Sequence, residues 1–343
     1  MHNENFKDSL GAVMEEFKSR GYECVKITRR DLDVTPKNIP RVFSFFFKKS
    51  RLLATSKYVF LNDNFLPMSM LGFRPQAIVT QLWHAEGAFK RFGLAIEQPE
   101  QLRLDEIAAN QKLTYVVCSS KAVAPIYAEA FGVKSEQVLP LGAPRADFLL
   151  RKENEKAAQK KLEKLYPQLK GKRLVLYAPT FRSTKEENEN LLSHFDFDLF
   201  KNEFKDEYAL LVRLHPQVHE SVPLPDYVFD VTDYGDVREL VLACESLITD
   251  YSSICMDFSL LSKKTVFFAF DEEKYAKERS FYFDYQTGLP GGIAKTTEEV
   301  IALLRAEFDS AKNDAFKIRN FDFIDCKSAE RVADAIIKES GSM

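Results

Sequence analysis

Polar residues of chemically useful type recur in this chain directly after short apolar runs. His84 follows the run 76–82 in TQLWHAEGAFKRFG, and Gly142, Pro144 and Arg145 follow 138–141. Pro179, Thr180 and Arg182 follow 173–177 in LYAPTFR; His215 and Pro216 follow 208–213 in VRLHP. Asp250, Ser252 and Ser253 follow 247–249 in LITDYSS. Open α/β sheets bind ligands at the carboxyl ends of their strands, so this placement in both halves of the chain points to a ligand site. The residue types suit phosphoryl chemistry. A guanidinium at 182 offers a planar fork for phosphate oxygens. A histidine at 215 can donate to a phosphate or protonate a leaving group. The run 254–261 is apolar at helical spacing behind Asp250, Ser252 and Ser253, which are helix-starting types, so backbone N–H groups and two hydroxyls would face an anion. His84 could take the proton from an incoming hydroxyl. Each residue also has a plainer reading: serines that only cap a helix, a histidine that only packs on Trp83.

The surrounding pattern alternates helix and strand. Apolar runs at 23–28, 58–61, 76–82, 115–118 and 138–141 read as strands in the first half, and those at 173–177, 208–213, 227–230, 247–249 and 265–270 in the second. Helical spacing covers 6–20, 39–54 with Pro40 in its first turn, 104–110, 122–131, 237–244, 296–306 and 328–339. The charged helix 152–165 reads as a linker, and EENEN at 186–190 as a polar loop. The expectation is α/β: two Rossmann-like, doubly wound domains, 1–150 and 151–327, facing a central cleft, with a terminal helix 328–343 returning to the N-terminal domain.

Composition narrows the function. A length of 343 residues with 45% hydrophobic content fits two domains. A net charge of −3 gives no global attraction to nucleic acid. The five cysteines have no CxxC spacing, which fits a reducing compartment. His215 and His219 have the four-residue spacing of helical metal ligands, but Pro216 breaks such a helix, so no metal is expected. His2 and His194 belong to no pattern, and there is no G-x-G-x-x-G or P-loop. No apolar run is long enough to span a bilayer and no signal peptide opens the sequence. Residues 34–57 carry six cations and no acid, interleaved with Phe43, Phe45, Phe46 and Phe47. That pairing suits an anionic membrane surface if the phenylalanines face outward; a helix that buries them is the plainer alternative.

WHAEGAFKRFG, YAPTFR, RLHP, LITDYSS and KERSFYFDYQTGLPGGIAKTTEE together resemble the CDP-glycerol glycerophosphotransferases of wall teichoic acid synthesis, over residues 6–338 and in family order. The residues after His84 look most like the glycerol-phosphate primase branch, with Ala85 and Glu86 departing from the polymerase type. The resemblance implies GT-B architecture and transfer of glycerol phosphate from CDP-glycerol to a lipid-linked saccharide, releasing CMP without a cofactor. It implies His84 as base and His215 as the partner of the departing CMP. It also implies Arg182, Ser252 and Ser253 around the pyrophosphate, with Asp250, Asp257, Arg279 and Tyr282 nearby. It further implies peripheral attachment to the cytoplasmic face of the membrane, and the chain begins at what looks like the family's first helix, so that a strand and any membrane segment would lie upstream. A homo-oligomer, a ribitol-phosphate or capsule-polymer transferase, a nucleotide-sugar glycosyltransferase and an inactive scaffold stay open as alternatives.

Overall fold

The computed structural model describes residues 6–31, 35, 38–205, 207–218, 222–278 and 280–341. They form two compact units, 1–148 with 319–343, and 149–318. The chain thus leaves the first unit after Phe148 and re-enters it at Arg319, ahead of the terminal helix Ser328–Gly341.

Unit 1 holds four parallel strands in consecutive order: β1 (Tyr58–Leu61), β2 (Ile78–Gln81), β3 (Tyr115–Cys118) and β4 (Val138–Pro140). One face of this sheet is covered by the helices Ser9–Ser19 and Ser328–Gly341. Val13 and Phe17 meet Ile78, Val117, Val332 and Ile336 in one buried cluster. Asp8 starts the first helix by accepting from Leu10 N at 3.0 Å, and Asp147 starts the last by accepting from Ser328 N at 2.9 Å and Ala329 N at 2.8 Å. Residues 23–28, expected as a strand, pair with none of the described strands.

Helical turns run from Ile39 through Thr55, with one wide π turn at Phe45–Lys49. Phe45 and Leu53 face inward, whereas Phe43, Phe46 and Phe47 are 61%, 61% and 74% exposed. Among the described residues no helix is long and apolar enough to cross a membrane.

Unit 2 is a six-stranded parallel sheet in the order β10–β9–β8–β5–β6–β7. Its strands are β5 (Arg173–Ala178), β6 (Tyr208–Val212), β7 (Phe229–Asp230), β8 (Ser246–Thr249), β9 (Lys264–Phe268) and β10 (Gly292–Ala294). The central strands are buried on both faces, which is why they read as unbroken apolar runs. From β5 the chain winds outward through β6 and β7, then returns to the other side of β5 and winds away through β8, β9 and β10. The winding direction therefore reverses between β5 and β8. The charged helix Lys152–Leu165 is no linker: Ala158 and Leu162 are buried where it packs on Val237–Ala243 within this unit. Residues 186–190 are likewise not a loop, since Thr184 and Glu187 form a capping box that starts the helix Lys185–Glu189.

Candidate active site

In unit 2 the loops after β5 and β8 meet at the reversal of winding, where open α/β sheets form their ligand crevice. Asp250 joins them. Its Oδ1 accepts from Thr180 N at 2.8 Å and from Tyr251 N at 2.6 Å, while its backbone carbonyl accepts from the Tyr285 hydroxyl at 2.9 Å. Arg182 completes the join. Nη2 donates to Asp250 Oδ2 at 2.9 Å and to Asp271 Oδ1 at 3.0 Å, Nε to Asp271 Oδ2 at 2.6 Å, and Nη1 to the Thr180 carbonyl at 2.5 Å. The Tyr251 hydroxyl donates to Asp271 at 3.0 Å, and its ring stacks on Tyr275 at 3.7 Å. Burial pulls the Arg182 guanidinium down, and the two carboxylates more than offset it, so it stays above its ordinary value. Burial and the same carboxylates push the Tyr251 phenol up.

Arg182 and Asp250, expected from the sequence as ligand contacts, are engaged with each other and with the protein here. The Arg182 side chain is only 7% exposed, and four of its donor contacts go to the protein. Both residues brace the ends of β5, β8 and β9. Asp257 is also inside, 1% exposed on the helix Ile254–Leu260. That helix has seven residues, one fewer than the expected span. Ser252 and Ser253 are half-exposed at its start; Ser252 Oγ accepts from Ile254 N at 3.4 Å. Tyr282 is half-buried beside Phe281, whose ring lies 6.1 Å from that of Tyr251. Arg279 lies outside the described residues.

His215 sits just beyond the end of β6, with its ring 4.7 Å from Phe181 of the loop after β5. Its Nδ1 accepts from Gln217 N at 3.2 Å. An accepting Nδ1 carries no proton, so in the neutral ring Nε2 carries the N–H. His194 is elsewhere, stacked on Phe270 at 4.0 Å, and His219 lies outside the described residues.

In unit 1, His84 follows β2 on a loop held residue by residue. Trp83 has φ 57°, a left-handed backbone rare for a bulky residue, and its N–H is held by Gln81 Oε1 at 3.0 Å. The Tyr127 hydroxyl lies within bonding distance of the carbonyls of Ala85 (3.2 Å) and Gly87 (3.0 Å). Gly87, at φ 60°, donates to Ser119 Oγ at 3.0 Å, and a Cβ there would stand 2.5 Å from Asn320 Oδ1, so only glycine fits. The His84 ring lies 4.0 Å from that of Trp83. Its Nδ1 is 3.3 Å from the Asn62 carbonyl and 3.8 Å from Asp63 Oδ1. A carbonyl oxygen can only accept, so a hydrogen bond to it puts the proton of the neutral ring on Nδ1 and leaves Nε2 unprotonated. Asn62 is itself tied to the buried Asp8.

Arg145 and Gly142, also expected near the ligand, make contacts within unit 1. Arg145 Nη1 pairs with Glu86 at 3.3 Å, bracing the His84 loop. Gly142 has φ 98°, and a Cβ would come within 2.5 Å of Ser328 Oγ, so this glycine admits the start of the terminal helix. The sequence reading missed Asp63 and Asp271. Both stand shortly after strands, the same signal that singled out His84 and Asp250. Among the described residues no group of three His, Cys, Asp or Glu could hold a metal ion.

A family profile described as CDP-Glycerol:Poly(glycerophosphate) glycerophosphotransferase matches residues 1–338, and the chain belongs to that family. It is 36% identical over 290 residues to a teichoic acid poly(ribitol-phosphate) polymerase of Bacillus spizizenii, covering 83% of this chain and 47% of the relative. The chain thus spans about half the length of that polymerase. It is 28% identical over 350 residues to the teichoic acid glycerol-phosphate primase of Bacillus subtilis, covering 97% of this chain and 90% of the primase. The solved wall teichoic acid polymerase TagF superposes with a TM-score of 0.79 at 23% identity, over 99% of this chain and 87% of that structure. That likeness gives the fold: two α/β units of the GT-B type.

Proposed function

We propose that this chain transfers glycerol phosphate from CDP-glycerol to a hydroxyl of a lipid-linked saccharide, releasing CMP, in teichoic acid synthesis. The observation that carries the reading is the junction of the β5 and β8 loops at the winding reversal of unit 2, with Ser252, Ser253 and His215 beside it. The two histidine tautomers support it further. His84 offers a lone pair on Nε2, as a base requires, with Asp63 at 3.8 Å to stabilise the imidazolium that forms. His215 offers an N–H on Nε2, as a partner of a departing phosphate requires. The acceptor oxygen attacks the phosphorus bonded to glycerol, its proton passes to His84, and the bond to the CMP oxygen breaks. His215 and the Ser252–Ser253 turn then stabilise the charge left on CMP.

Ribitol phosphate from CDP-ribitol is a second donor reading, favoured by the 36% identity to a ribitol-phosphate polymerase. Incubation with CDP-glycerol, CDP-ribitol and a UDP-sugar, each with a lipid-linked disaccharide, separates these readings by which nucleotide is released. CMP release from neither CDP-alditol would overturn both.

A lipid-linked acceptor requires approach to a bilayer. Phe43, Phe46 and Phe47 are exposed beside Lys48 and Arg51, which supports peripheral binding to an anionic surface, with the cytoplasmic face as its place.

A further inference from the structure

We propose that unit 1 contains a hydrocarbon-binding cavity that takes one chain of an anionic membrane lipid. The inference deepens the membrane-surface reading above and rests on it for the source of the lipid. The cavity, of about 350 Å³, lies along the outer edge of β1, which among the described strands pairs only with β2. Leu10, Phe17, Cys24, Leu52, Phe60 and Phe65 are among its walls. Residues 23–28 form its opposite side without joining the sheet, so an extended space remains between them and β1.

Four observations select the occupant. The walls are mainly carbon, which suits a hydrocarbon, with polar groups of Glu23, Asn62 and Asp63 also on the lining. The volume is at the small end of ligand pockets, enough for one chain and not for a whole lipid. Leu52 both lines the cavity and is 46% exposed, on the helical stretch that displays Phe43, Phe46 and Phe47. Lys57 stands at the cavity wall, in the segment 34–57 with six cations and no acid. Charge complementarity therefore calls for an anionic head group outside and its chain within.

The test uses the full chain and two photoactivatable probes with a diazirine in the hydrocarbon tail: a free fatty acid, and phosphatidylglycerol in vesicles. After irradiation, adducts are mapped by mass spectrometry. Both probes should mark residues 10–27 and 52–65. Cys24→Trp, which fills the cavity, and Leu52→Trp at its rim should each lose most of those adducts while keeping the wild-type melting temperature. Adducts confined to Phe43, Phe46 and Phe47 would overturn the proposal, as would labelling that survives both variants. Cavity adducts from the fatty acid with none from vesicles would overturn a membrane lipid as the occupant. Hydrogen exchange at 23–28 as slow as in β1, without lipid, would mean that the segment closes on the sheet, and would also overturn it. No arm uses CDP-glycerol, so failure of the transferase reading leaves the result interpretable.

Discussion

The two units solve the same problem by different means. Unit 2 places its candidate residues by topology: the winding reverses between β5 and β8, and the loops at that point open together. Unit 1 has its described strands in plain consecutive order, with no reversal among them. It places His84 instead through a strained Trp83, a glycine at 87, N–H groups of Trp83 and Gly87 that donate to Gln81 and Ser119, and a hydroxyl donated by Tyr127. A site given by topology tolerates change in its loops. A site built by local bracing depends on each brace.

The sharpest break of this comparison is His84→Ala. Loss of a general base costs about 10²–10⁴-fold in turnover, and CDP-glycerol affinity measured by calorimetry should hardly move. Near-normal turnover in the purified variant would remove His84 as base. Next comes Arg182→Ala, which leaves the buried Asp250 and the half-buried Asp271 without their cation. Removing one partner of a buried pair costs about 3–5 kcal/mol, so urea unfolding should show a weakened unit 2. Weaker nucleotide binding with an unchanged unfolding curve would return Arg182 to the role of phosphate contact.

A smaller effect is expected from Lys48→Glu, Lys49→Glu and Arg51→Glu together. Each basic residue at an anionic surface contributes at most about 1 kcal/mol. Lys49 also pairs with Asp31 at 2.7 Å and so contributes less than the others to the surface. Sedimentation with phosphatidylglycerol vesicles should fall while nucleotide binding persists. Equal sedimentation of wild type and variant would make the segment an ordinary solvated face.

The smallest effect is one of pH. Burial raises Asp147 above 3.8, against the pull of the Ala329 and Ser328 amides. A raised carboxyl contributes fully below its unfolded value and loses that contribution as pH climbs through its folded one. Wild-type stability should therefore decline slightly as pH rises above 3.8, and Asp147→Asn should flatten that part of the profile. An identical slope in both proteins would place the titrating group elsewhere.

What could be read from the sequence follows how local each signal is. The runs 58–61 and 115–118 become strands because buried parallel strands need only a short apolar stretch. The strand Gly292–Ala294 was missed because glycine carries no apolar signal. Residues 23–28 have strand-like alternation but no partner among the described strands, and pairing is a property of the whole sheet. The helix Lys185–Glu189 was hidden by its charge, although Thr184-x-x-Glu187 announces it. Among the candidate residues, His84, His215, Ser252 and Ser253 could be named because they follow strands. The internal use of Arg182 could not, since its partner Asp271 lies 89 residues away and no local pattern joins them.

Unit 1 is completed by residues from both sides of unit 2, and this has a consequence for synthesis on the ribosome. Val13, Phe17 and Ile78 bury themselves partly against Val332, Ala333 and Ile336. Translation at about 5–20 residues per second delivers all of unit 2 before those last partners exist. Unit 2, being contiguous, can fold while unit 1 still waits with an apolar sheet face uncovered. During that interval the nascent chain is a client for chaperones at unit 1 alone, and a stalled ribosome or premature stop codon before residue 328 would strand it there.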